Sequence, residues 1–149
     1  MVIFLILDIT LFFIINLANI FAGLMFIGRV KQQILAELSS KLFVLLGIPI
    51  LIIAIYNLIL LREWWYWIFP SILVAFIIFT LIVDFIKKIE FRNPINYKIL
   101  IPFLLFYYIG LILTWGLTWT IGALYGFITM VTYFFQLAAS IYAGKHGVG

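Results

Sequence analysis

The chain lacks cysteine and has a single histidine, His146, among its 149 residues. The absence of cysteine excludes disulfide bonds, thiolate metal sites and thiol redox relays. One imidazole cannot supply the paired ligands of a bis-histidine haem, nor can it build a histidine-rich zinc or di-iron centre. From these absences we expect no metal and no cofactor.

Charged side chains are also scarce, with nine Lys or Arg and five Asp or Glu. Residues 42–61 and 68–83 contain none of them, and 68% of the chain is hydrophobic. A helix of about 20 apolar residues crosses a bilayer, because each residue rises about 1.5 Å and the hydrocarbon core is about 30 Å thick. The sequence therefore predicts an all-α, polytopic membrane helix bundle that forms one integral membrane domain over residues 1–149.

Interruptions of the apolar runs predict about five transmembrane helices, at about 3–27, 42–61, 65–86, 99–117 and 124–143. As one helix, residues 99–143 would be about 65 Å long, so this stretch must fold back. We expect the turn within residues 115–126, where Gly116, Gly122 and Gly126 supply backbone freedom. The alternative is four spans followed by a re-entrant segment. Pro49, deep in the second span, predicts a kink or local irregularity there.

Basic residues and tryptophans predict the orientation. The loop after the first span carries Arg29, Lys31 and Lys41, and residues 87–98 hold four more Lys or Arg. By the positive-inside rule both loops are cytoplasmic, which puts the N-terminus outside and the C-terminus in the cytoplasm. This sorting rule explains the basic residues without a specific lipid interaction. The tryptophans are expected to anchor the opposite, outer interface. They are Trp64, Trp65, Trp67, Trp115 and Trp119.

Polar side chains inside apolar spans are costly unless they are paired, so each is a candidate contact. Asn16 and Asn19 in the first span lie at a depth similar to that of Gln136 in the last span. We predict that these amides form interhelical polar contacts, on the hypothesis of a hydrogen bond from Asn16 or Asn19 to Gln136. The alternative is a hydrophilic pathway through the bundle.

A second polar group is predicted at the outer interface, where Asp8, Asn57, Arg62 and Glu63 fall at similar depth. Asp8 comes early in the first span, where the helix dipole favours a negative charge, so the sequence favours a solvated interfacial carboxylate. The alternative is a carboxylate that lines an outward-facing cavity.

No motif in the chain reaches the specificity of a catalytic or cofactor site, so we assign no catalytic residue. The sequence favours a non-enzymatic accessory or structural subunit that packs against a membrane partner or against itself. The alternative is a small transporter or channel with an outward-facing polar cavity near Asp8, Asn57 and Arg62. A lipid-modifying enzyme is less favoured, because such enzymes usually cluster carboxylates or histidines at one interface. The expected partners are membrane lipids, with other membrane subunits or a second copy as candidates, and no nucleic acid.

Overall fold

The computed structural model describes residues 2–89, 91 and 94–148. Within these residues the chain forms helices and no strands. They are α1 (Val2–Lys31), α2 (Gln33–Leu45), α3 (Gly47–Ile59), α4 (Trp65–Thr80), a π-helix (Leu81–Ile86) that continues α4, α5 (Tyr97–Ile121) and α6 (Ala123–Lys145). Arg92, which the sequence places in the second basic loop, lies outside the described residues.

In the described part of the chain, five helical segments are long and apolar enough to cross a membrane: α1, α2 with α3, α4 with the π-helix, α5, and α6. The prediction of an all-α membrane bundle is thereby confirmed, and the chain is a small integral membrane protein. The last apolar stretch forms two full-length helices rather than one span and a re-entrant segment. The five predicted spans correspond to these segments, although the helices extend beyond most of the predicted bounds.

The largest difference from the predicted bounds is at the second span, which begins at Gln33 rather than at Leu42. α1 continues to Lys31, and Gln32 alone turns the chain, with an extended backbone of φ −160° and ψ 105°. The buried face of α2 consists of Ala36, Ser39 and Phe43, which recur at helical spacing. Two of these three are small, so α2 lies close to α1. Charges interrupt the apolar run over residues 28–41 and predict a loop there, whereas the structure has helix on both sides of Gln32.

The second span is interrupted at Leu46, three residues before Pro49, where α2 ends and α3 begins. Proline lacks the backbone N–H that a helix interior needs, and its ring crowds the preceding turn. Pro49 therefore occupies the first turn of α3, where a missing donor costs little. The predicted irregularity is confirmed.

The turn between α5 and α6 consists of one residue, Gly122, with φ 158° and ψ 159°. Residues with a Cβ rarely adopt this conformation, so glycine is needed here. The turn lies inside the predicted interval of residues 115–126.

α1 packs mainly against α2 and α6, while α4 packs between α3 and α5. α1 and α6 run parallel, since Asn16 contacts Thr129 and Asn19 contacts Thr132. The core between the helices is apolar and aromatic, and among its most deeply buried members are Ile15, Ala18, Ile50, Leu73 and Leu111. Each end of the bundle then brings together segments that are distant in sequence.

Candidate functional site

At one end of the bundle, which we call the tryptophan end, the α3–α4 connection at residues 60–64 lies near the start of α1. Arg62 forms a two-pronged ion pair with Asp8, with Nη1–Oδ1 at 2.7 Å and Nη2–Oδ2 at 3.1 Å. Arg62 Nη1 also donates to Asn57 Oδ1 at 3.2 Å. The side chains of Arg62 and Asp8 are only 8% and 15% exposed. Asp8 is thus a paired, largely buried carboxylate, and the expectation of a solvated one is wrong.

Aromatic rings enclose this guanidinium. Its Cζ lies 3.6 Å from the ring centroid of Tyr66 and 4.7 Å from that of Phe4. Leu61 has φ 50°, in the left-handed region, and so reverses the chain immediately before Arg62. Glu63 is exposed, and its carbonyl accepts from the Tyr66 N–H. The structure therefore brings Asp8, Asn57 and Arg62 together and leaves Glu63 at the surface.

The space beside this cluster is small. The pocket that Asp8, Tyr66 and Thr118 help to line has a volume of about 10 Å³. A single water molecule needs about that much. The Tyr66 hydroxyl donates to Thr120 Oγ1 at 3.1 Å and joins the start of α4 to the end of α5. The space beside Asp8 is therefore about that of one water molecule.

The tryptophans lie towards this same end. Trp64, Trp65 and Trp67 follow the α3–α4 connection, while Trp115 and Trp119 lie in the last turns of α5. The indole N–H of Trp115 donates to the Gly126 carbonyl at 3.0 Å, so it bridges α5 and α6. A Cβ on Gly126 would lie 2.3 Å from the Trp119 ring, which shows how closely the two helices approach there.

The amides of α1 lie in the interior, as their depth in the sequence predicts, but their partners differ from the prediction. Asn16 Nδ2 donates to Thr129 Oγ1 at 3.1 Å, and Thr132 Oγ1 donates to Asn16 Oδ1 at 2.7 Å. Asn19 Nδ2 donates to Thr132 Oγ1 at 3.0 Å. The α6 partners of both amides are therefore threonines, and the predicted bond to Gln136 is wrong. Parallel packing places Gln136 about one turn beyond Thr132, out of register with Asn19.

Gln136 is fully buried and pairs instead with α5, since its Oε1 accepts from the Tyr107 hydroxyl. Sequence analysis did not single out Tyr107. The available signal was a tyrosine in the middle of an apolar span, because a buried hydroxyl usually needs a hydrogen-bond partner. Together these contacts tie α1 and α5 to α6 through polar bonds in the membrane interior.

We expect Asn16 and Thr132 to be energetically coupled. In a double-mutant cycle with Asn16→Ala and Thr132→Ala, the coupling energy should be about 0.5–2 kcal/mol, the range for hydrogen bonds between membrane helices. The measurement is reversible unfolding in mixed detergent micelles. The cycle of Asn16→Ala with Gln136→Ala is the control and should give additive losses. Coupling in the control that equals that of the Asn16–Thr132 pair would contradict these assignments.

The opposite end, which we call the basic end, contains a much larger cavity of about 670 Å³. It lies between four segments. These are the end of α1, the first part of α2, the π-helix with the residues that follow it up to Phe91, and the residues that follow α6. Its lining includes Arg29, Glu37, Asp84 and Lys88 together with apolar side chains such as Met25, Phe85 and Phe91. The sequence does not predict this cavity, because its walls come from four segments that are distant along the chain.

The backbone at the rim of this cavity is unusual. α4 gives way to a π-helix at residues 81–86, a form that is rare and often found at functional sites. The Ile89 N–H then donates to the Val83 carbonyl at 2.9 Å, and Lys88 between them has φ 48°. Glycine is the usual residue at this position of a helix end. A lysine there costs about 1–3 kcal/mol of conformational strain.

Comparisons with protein-family models, with curated proteins and with solved structures give no match.

Proposed function

We propose that this integral membrane protein is a non-enzymatic structural or accessory subunit that packs against another membrane helix, from a partner or from a second copy. The supporting observation is how its polar groups are used. In the interior, the amides of Asn16, Asn19 and Gln136 bond neighbouring helices to one another, and at the tryptophan end Asp8 and Arg62 form a closed ion pair. Interhelical hydrogen bonds of this kind are typical of membrane helices that pack closely.

A groove between α1 and α6 supports contact with another helix. It has a volume of about 300 Å³ and is lined by Ile27, Lys31, Phe135, Ala138, Ala139 and Tyr142. Small residues such as Ala138 allow the backbones of membrane helices to approach closely. Lipid chains can also fill such a groove, so the partner is a proposal to be tested by experiment.

The alternative of a small transporter with an outward-facing cavity has less support. Such a cavity would lie near Asp8, Asn57 and Arg62, and the space beside Asp8 is only about 10 Å³. A transported solute would have to separate Arg62 from Asp8 before it could enter.

We propose the orientation with the tryptophan end outside and the basic end in the cytoplasm, on the positive-inside argument. Because the chain has no native cysteine, single cysteines can report it. Gln32→Cys and Glu63→Cys both change exposed residues, at the basic end and the tryptophan end respectively. An impermeant thiol reagent applied to intact cells should label Glu63→Cys and leave Gln32→Cys unlabelled. The reverse pattern would contradict the proposed orientation.

Association can be tested by filling the groove. Ala138→Trp adds a large ring in the groove, at an exposed position, whereas Val131→Trp places the same ring on α6 outside the groove lining. The wild-type protein and Val131→Trp should retain a stoichiometric membrane partner or form a dimer in mild detergent, and Ala138→Trp should lose it. Mass measurement of the purified complexes distinguishes the two kinds of partner. A wild-type protein that is monomeric and carries lipid alone would contradict the subunit proposal.

A further inference from the structure

Two buried amide atoms in the interior of the bundle have no hydrogen-bond partner among the described residues. They are Asn19 Oδ1 on α1 and Gln136 Nε2 on α6. Asn19 is 1% exposed and Gln136 is fully buried, so bulk solvent does not reach either atom. Almost all buried polar atoms in proteins have a hydrogen-bond partner, so these two atoms indicate that something else bonds to them.

The other half of each amide is already bonded. The Thr132 hydroxyl donates its only proton to Asn16 Oδ1, so it can only accept from Asn19, which therefore presents Nδ2 to it. Gln136 Oε1 accepts from the Tyr107 hydroxyl. What remains is one acceptor, Asn19 Oδ1, and one donor, Gln136 Nε2. The two atoms are therefore chemically complementary.

The register of α1 against α6 places the two residues about one helical turn apart. Asn19 lies at the level of Thr132, and Gln136 follows Thr132 by four residues on the parallel helix α6. One turn is about 5.4 Å, which is too long for a direct hydrogen bond of about 2.9 Å. It matches the roughly 5.5 Å that two hydrogen bonds through one shared oxygen atom span.

The next turn of α1 has little side-chain volume on its buried face. Its buried residues are Ala22 and Gly23. A Cβ on Gly23 would lie 2.3 Å from the ring of Phe135, so this turn of α1 packs against the turn of α6 that contains Gln136. On its buried face, α1 thus has no long side chain of its own to place between Asn19 and Gln136.

We infer that Asn19 and Gln136 bind one water molecule between them in the membrane interior. The water donates to Asn19 Oδ1 and accepts from Gln136 Nε2. Buried waters make roughly two to four hydrogen bonds, to polar groups that otherwise lack a partner. This water joins the amide–threonine contacts of α1 and α6 to the Gln136–Tyr107 pair, so that one hydrogen-bonded network spans three helices. The inference does not depend on the proposed helix partner.

The test is nuclear magnetic resonance of the full chain in lipid nanodiscs, with nitrogen-15 in the side-chain amides of asparagine and glutamine. Magnetisation should pass from water to the Gln136 amide protons with the sign of a nuclear Overhauser effect from a bound molecule. Loss of the signal in Gln136→Met assigns it. Asn16 is the matched control and should receive none, because its Nδ2 already donates to the Phe12 carbonyl and to Thr129 Oγ1. A Gln136 amide without this transfer would overturn the inference.

Two variants locate the water. Asn19→Leu removes the Oδ1 acceptor at similar side-chain size, so the transfer to Gln136 should be lost, because a buried water needs at least two polar partners. Tyr107→Phe removes the hydroxyl proton and keeps both amides, so the transfer should persist. Full transfer in Asn19→Leu would place the water away from Asn19, and loss of transfer in Tyr107→Phe would trace it to the tyrosine hydroxyl. Either result would overturn the inference, and the wild-type spectrum tests it even if Asn19→Leu does not fold.

Discussion

Arg62→Met should destabilise the protein by about 3–5 kcal/mol, which is the usual loss when one partner of a buried ion pair is removed. The change leaves the Asp8 carboxylate, only 15% exposed, without its counter-charge. It also removes the cation stacked on Tyr66 and the donor to Asn57 Oδ1. The free energy of unfolding in mixed detergent micelles measures the loss.

Two further variants separate the charge from the packing. The double variant Asp8→Leu with Arg62→Met removes both charges and should recover most of the loss, because no uncompensated charge is left buried. Glu63→Gln changes the adjacent exposed carboxylate and should alter stability by less than about 0.5 kcal/mol. If Arg62→Met is as stable as Glu63→Gln, water reaches the pair freely and the closed cluster is not a structural element.

Gly28→Ala should have the second large effect, a loss of about 1–3 kcal/mol from overpacking. A Cβ at this position would lie 2.4 Å from the backbone nitrogen of Ala36 and 2.9 Å from its Cα. These are backbone atoms of α2, so they cannot move aside as a flexible side chain could. The Gly28 carbonyl also accepts from the Gln32 N–H at 2.7 Å, so a shift would weaken the turn between α1 and α2.

The matched control is Gly116→Ala in α5, where an added Cβ would meet no atom within 4 Å. This change should stabilise the protein by about 0.5–1 kcal/mol, because alanine loses less conformational freedom than glycine in a helix. Thermal unfolding of both variants in the same detergent gives the comparison. Equal losses for the two glycines would mean that helix propensity, rather than the α1–α2 contact, decides the outcome.

The sequence by itself determined the class of the protein, the approximate extent of most of its spans and the interval that contains the α5–α6 turn. These features depend on local properties. Span length follows from runs without charge such as residues 42–61, the break near Pro49 follows from its missing N–H, and the α5–α6 turn follows from Gly122. The sequence also predicts the depth of Asn16, Asn19 and Gln136 in the membrane, because depth depends only on the distance along a helix.

The sequence does not show how each helix is rotated about its own axis. This rotation decides which side chains meet. A membrane helix such as α5 is apolar on all sides, so the sequence has no hydrophobic periodicity to show which face is inside. Only packing of the whole bundle set the register that gives Asn16 and Asn19 threonine partners on α6 and gives Gln136 a tyrosine partner on α5.

The same reason applies at both ends of the bundle. Asp8 and Arg62 are 54 residues apart, and their pairing needs the reversal at Leu61. The basic-end cavity needs α1, α2, the π-helix and the residues after α6 to meet. Local sequence determined which side chains each end would hold. Tertiary packing determined that one end is closed by an ion pair and the other is an open cavity, because only packing sets the distances between segments.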